Sequence, residues 1–127
     1  YDEMIVLRDI VFDSYCEHHM VPFTGRAHIA YIPGCKVHGV SKLARLVEIF
    51  AKRLQIQEKL TAQIATTLND VLKPRGVAVV VEATHMCMTT RGVHKPDSVM
   101  QTSQLLGLFR SDPRTRQEFF SLLSGTR

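Results

Sequence analysis

The chain has 127 residues, 45% hydrophobic and 22% charged, with a formal net charge of +4. That is one domain of ordinary globular composition, with no run of about twenty apolar residues to indicate a membrane span. The basic balance admits an anionic partner. The absence of Trp, and of basic stretches interleaved with aromatics, argues against a nucleic-acid stacking platform.

Residues 4 to 12 are rich in β-branched and aromatic types and read as a strand; a second runs from about Arg26 to Ile32 and stops at Pro33-Gly34. Leu43, Leu46, Val47, Phe50 and Leu54 then recur at helical spacing from Ser41 onward. Leu60, Ile64, Leu68 and Leu72 do the same from about Gln57, ending before Pro74. Val77 to Met88 is a long β-branched strand, and a weaker one spans roughly Ser98 to Phe109. Asp112-Pro113 opens a last helix, with Phe119, Phe120, Leu122 and Leu123 on its apolar side. Strands in sequential pairs predict an α+β single domain over residues 1–127: an antiparallel four-stranded sheet with helices on one face. Its two open edges predict edge-to-edge association into an oligomer.

Cys16-Glu17-His18-His19 and His85-Met86-Cys87 together supply two thiols and three imidazoles. Zinc takes such donors tetrahedrally, and a catalytic zinc keeps one position for water. Cys16 and His19 have the gap of a metal-binding turn, and Cys87 is a distant third ligand. His18 and His85 then stand beside the metal as acid–base groups. A closed structural site of Cys16, His19, His85 and Cys87 is the alternative, and spacing leaves both open. Three cysteines are an odd number, which points away from a disulfide framework and towards a reducing, cytoplasmic setting. Cys35, in a turn, reads as an ordinary free thiol, and His28, His38 and His94 as ordinary strand or loop residues.

Ser41 reads as an N-cap, which puts Lys42 and Arg45 in the first helical turn. Cations there oppose the macrodipole, a placement that makes sense if a phosphate docks at that terminus. Gln57-Glu58 begins the next helix. Glu58 either simply favours the dipole or offers one carboxylate to the adjacent N1–H and amino donors of guanine. Arg91 reads as a further phosphate contact or a surface charge.

These residues closely resemble GTP cyclohydrolase I, from about Ile5 to Leu123. The most specific segments are Cys16-Glu17-His18-His19, Ile29-Ala30-Tyr31-Ile32-Pro33, Gly39-Val40-Ser41-Lys42-Leu43-Ala44-Arg45, Gln55-Ile56-Gln57-Glu58 and Glu82-Ala83-Thr84-His85-Met86-Cys87-Met88, followed by Arg91-Gly92. The resemblance implies a T-fold subunit in a ring oligomer, typically a homodecamer of two pentamers, with active sites between subunits. It implies Zn2+ on Cys16, His19 and Cys87, and His18 and His85 as the acid–base pair. Guanine contacts then fall to Gln57 and Glu58, and ribose and triphosphate contacts to Ser41, Lys42, Arg45 and Arg91. The implied reaction is hydrolytic opening of the guanine imidazole ring of GTP, giving formate and 7,8-dihydroneopterin 3'-triphosphate, the first step of pterin and folate synthesis. Two departures stand out. The helical segment that usually precedes this region is not among these residues, and His38 stands where an aliphatic residue is more usual. Whether a regulatory protein binds is not inferable.

Three rival functions would leave other marks in the sequence or its behaviour. A zinc base deaminase expects His-x-Glu and Pro-Cys-x-x-Cys, and neither is present. A basic zinc-stabilised binding module would use four protein ligands and turn over no GTP. A silent subunit of the same fold is disfavoured by the intact His18, His85 and Glu58.

Overall fold

The computed structural model describes residues 3–16, 22–34, 40–52, 54–85 and 99–125. Among these residues nine elements follow in order: β1 (Ile5–Cys16), β2 (Pro22–Ile32), α1 (Val40–Ala51), β3 (Leu54–Gln55), α2 (Gln57–Leu72), β4 (Gly76–His85), β5 (Met100–Gly107), α3 (Leu108–Ser111) and α4 (Pro113–Gly125). The sheet runs β3-β1-β2-β4-β5. The expected four strands pair antiparallel, and the two-residue β3 adds a short parallel pairing to the end of β1.

Period-two alternation sorts the strand side chains onto two faces. Phe23, Ala27, Ile29, Tyr31, Val77, Val79, Val81 and Ala83 pack under α1 and α2. Ala30, Ile32, Ala78 and Val80 point the other way, against Phe109 of α3 and Phe119 of α4. The two long helices therefore share one face as expected, while the closing helix covers part of the opposite face. Fully burying a side chain such as Ile29 or Leu60 contributes about 1.5–3 kcal/mol. Phe109 and Phe119 meet edge-to-face, with ring centroids 5.7 Å apart.

Two backbone features fix the strand ends and register. In β1, Leu7 pairs with Ile29 but Ile10 pairs with Ala27, so β1 spends one residue more than β2 over this stretch. Asp9 takes φ 60 in the resulting bulge. Its backbone N–H donates to Nδ1 of His28 (3.1 Å), a ring 0% exposed. Because Nδ1 accepts there, a neutral ring carries its hydrogen on Nε2, which lies 3.1 Å from Glu82 Oε1. His28 is thus a buried connector of β1, β2 and β4, more than the ordinary strand residue its sequence context indicates. At the other end, Gly107 adopts φ 64, where a Cβ would run into the Arg75 carbonyl oxygen, and β5 turns there into α3.

Candidate functional site

Three adjacent strands finish together at one end of the sheet. Ser14 of β1 pairs with Phe23 of β2, and Phe23 pairs with His85 of β4. With neighbouring strands about 4.8 Å apart, the main chains at Ser14 and His85 stand roughly 10 Å from one another. Cys16 lies two residues beyond Ser14, and Cys87 two residues beyond His85. The fold therefore brings the two Cys/His segments out of the same sheet end, although they are far apart in sequence. His18, His19, Cys87 and Arg91 lie outside the described residues, as do the side chains of Cys16 and His85. Among the described residues, no three His, Cys, Asp or Glu side chains gather into a metal-binding group.

The start of α2 comes to this same end. In β3, Leu54 pairs with Tyr15 and Gln55 with Cys16, and the helix begins two residues later at Gln57. Ile56 is extended and provides no side-chain cap, so the first-turn amides are left to other partners. Glu58 sits exposed in that first turn, where a carboxylate complements the helix dipole. Gln57 points inward and is 1% exposed. Its amide nitrogen donates to the carbonyl oxygens of Val81 (3.1 Å) and Met100 (2.9 Å), tying the helix start to β4 and β5.

The cationic cluster behaves differently. α1 begins at Val40, so Ser41 lies within its first turn instead of capping it; Ser41, Lys42 and Arg45 are all exposed. Ser41 and Arg45 line a shallow groove of about 480 Å³ with Ala44, Glu48, Ile49 and Lys52. Lys42 lines a small pocket with Leu72, the last residue of α2. The α2 residues that line this pocket, from Thr67 to Leu72, lie nine to fourteen positions beyond Glu58, and a helix rises 1.5 Å per residue, so Lys42 stands roughly 14–21 Å along α2 from Glu58. Within the chain the fold brings Cys16, His85, Gln57 and Glu58 to one end, and sets Lys42 apart from them.

Thr61 and Thr102, whose hydroxyls meet Gln57, had no place in the sequence reading. Only the four-residue spacing from Gln57 to Thr61 hinted that the two share a helix face. Away from this end, Asp112 accepts from the Arg114 backbone N–H (3.0 Å) and the Thr115 hydroxyl (3.1 Å) at the start of α4. The Arg114 backbone hydrogen bond, followed by the hydrogen bond from the Thr115 hydroxyl, holds its carboxyl below the ordinary aspartate range. Among the described residues, no helix is long and apolar enough to cross a membrane.

The family model for GTP cyclohydrolase I matches residues 1–124. A GTP cyclohydrolase 1 of Wolinella succinogenes is 65% identical over 118 residues, covering 93% of this chain and 63% of that protein. One from Rattus norvegicus is 57% identical over 123 residues, covering 97% of this chain and 51% of its own length. The chain spans between half and two-thirds of such relatives. Among solved structures, the apo archaeosine synthase QueF-Like superposes with a TM-score of 0.68 at 15% identity, over 84% of this chain and 96% of that one. At that identity the likeness concerns the fold alone, which is the T-fold.

Proposed function

The chain belongs to the GTP cyclohydrolase I family, and from that premise we propose that the protein opens the imidazole ring of guanine in GTP, releases formate and yields 7,8-dihydroneopterin 3'-triphosphate. The observation that carries this reading is the meeting of the β1 and β4 ends with the first turn of α2. One sheet end thereby collects a thiol-bearing strand end, a histidine-bearing strand end and an exposed carboxylate.

Two cysteines and a histidine form a donor set suited to zinc, so Cys16, His19 and Cys87 would hold it. When bound, zinc supplies Lewis acidity that lowers the pKa of water towards about 7. The remaining work belongs to side chains of the protein. C8 of guanine resists water until N7 is protonated, and His85 delivers that proton. His18 is the second proton carrier, taking up and returning protons as the C8–N bonds break and formate leaves. Imidazoles titrate near neutral pH and suit both tasks. The carboxylate of Glu58 accepts from guanine N1–H and the 2-amino group, beside Gln57, and keeps C8 in place through the successive steps.

Ser41, Lys42, Arg45 and Arg91 bind the ribose and triphosphate. Roughly 14–21 Å of helix separates Lys42 from Glu58 on one subunit, which favours a site completed by a neighbouring copy. Among the described residues, the outer edge of β5 has no ladder partner, nor has the outer edge of β1, the side away from β2, over Ile5–Ser14. Pairing such edges between copies builds a closed ring, and we take the assembly to be the decamer of two pentamers.

The test is to incubate zinc-loaded protein with GTP and follow formate release together with pterin fluorescence after oxidation. Metal-replete protein that yields neither overturns the proposal.

A further inference from the structure

The first turn of α2 is held by a hydrogen-bond circuit that begins and ends on Gln57. Thr61 Oγ1 donates to the Gln57 backbone carbonyl at 2.8 Å and lies 2.7 Å from Thr102 Oγ1. Each hydroxyl has a single hydrogen, and a carbonyl oxygen can only accept. Thr61's hydrogen is therefore spent on Gln57, and the hydrogen between the two hydroxyls comes from Thr102. That leaves a lone pair of Thr102 Oγ1 facing the Gln57 amide nitrogen, 3.1 Å away. The carbonyls of Val81 and Met100 fix the orientation of the amide, nitrogen inward. Its two hydrogens serve three acceptors, so one is shared.

Two of its three members are buried, Gln57 at 1% and Thr61 at 2% exposed, while Thr102 is partly exposed on β5. It links α2 to β4 through Val81 and to β5 through Met100 and Thr102. Met100 also pairs with Ala83, near the end of β4 that carries His85. The amide nitrogen of Gln57 is thereby engaged inside the protein, while the adjacent Glu58 faces outward from the same turn.

Resting on the proposed GTP reading, we propose that Thr61 and Thr102 are positioning residues for guanine recognition. They lock Gln57 at the first position of α2 and so set where the Glu58 carboxylate meets the base. Gln57 contributes its amide nitrogen to this lock and not to the substrate. Two threonine hydroxyls thus act on base selectivity without touching the nucleotide.

The experiment compares GTP with inosine triphosphate, which keeps N1–H but lacks the 2-amino group, on full-length, zinc-loaded protein. In Thr102→Val, kcat/KM for GTP falls about tenfold, chiefly through KM, and the preference for GTP over inosine triphosphate shrinks by a similar factor. Zinc content stays at the wild-type level, and Thr102→Ser restores the preference. Thr61→Val, which leaves the Gln57–Thr102 contact in place, shows the same change in smaller measure and serves if Thr102→Val does not fold. Equal losses with both nucleotides, or a serine variant that fails to restore selectivity, overturn the positioning role. Wild-type protein that turns over GTP without preferring it overturns this inference alone. Wild-type protein that neither binds nor turns over GTP overturns the functional reading and this inference with it.

Discussion

Phe23 and His85 face each other across the β2–β4 ladder. The pairing anchors the strand that carries His85 next to the one that follows Cys16, and makes His85 the group to question first. His85→Ala lowers formate release by about 100- to 10,000-fold, the range for loss of a general acid. Zinc stoichiometry, measured by atomic absorption, stays unchanged. If zinc is lost in step with activity, His85 is a fourth ligand and the site is structural.

Glu58→Gln keeps the shape and removes the charge. A charge-assisted hydrogen bond contributes about 1.5–3 kcal/mol, so GTP affinity weakens roughly 10- to 150-fold while metal content is unaffected. Calorimetric titration with GTP measures this. Unaltered affinity removes Glu58 from the guanine site.

Lys42→Ala and Glu58→Ala abolish activity separately, yet a mixture of the two variants, dissociated and reassembled, recovers part of it. With random assembly from equal amounts, about one site in four receives an intact Lys42 from one copy and an intact Glu58 from its neighbour, the closed-ring logic of heterologous interfaces. Zero recovery in mixed oligomers verified by mass spectrometry means that both residues serve a site on one subunit.

Asp112 contributes stability through its ionised form, because its folded pKa lies below the ordinary value of 3.8. The contribution is fully present above the unfolded pKa and is lost as pH falls through the folded one. Asp112→Asn therefore melts below the wild type at pH 7, and the two melting curves converge as the pH drops below about 3.8. A melting difference that stays constant from pH 7 to pH 2 contradicts this origin.

His28→Leu preserves bulk but removes the ring nitrogen that accepts from the Asp9 N–H and the one that meets Glu82 Oε1. Loss of that acceptor costs at most about 1–3 kcal/mol, which appears as a lower urea midpoint with unchanged slope. An unchanged midpoint means that the bulge amide finds another acceptor.

Where apolar periodicity was strong, the sequence located its elements closely. The stripe from Leu60 to Leu72 marks α2 from Gln57, and the valines after Gly76 mark β4. The ends of β1 and β2 were harder to read. Asp13, Ser14 and Thr24 look like turn residues, yet the ladder continues through them because Ser14 pairs with Phe23 on the buried row. Two residues of β3 are too few to carry any period. The Cys/His segments were legible because their chemistry is rare. Thr61 and Thr102 were not, since two ordinary threonines become a circuit only when α2 and β5 are brought together. The separation of Lys42 from Glu58 was likewise hidden, because their nearness in sequence says nothing about opposite ends of a helix pair.

The bulge at Asp9 has a consequence for chain length. Ahead of it, Ile5 and Leu7 face the helices; beyond it, Ile10 and Phe12 do. Excising Arg8 would bring these four into strict alternation, so homologues with a one-residue gap in an alignment here would bury the same four side chains. Such a shortened version would keep the apolar row and give up the bulge amide that reaches His28, together with the placement that lets Asp9 pair with Arg26.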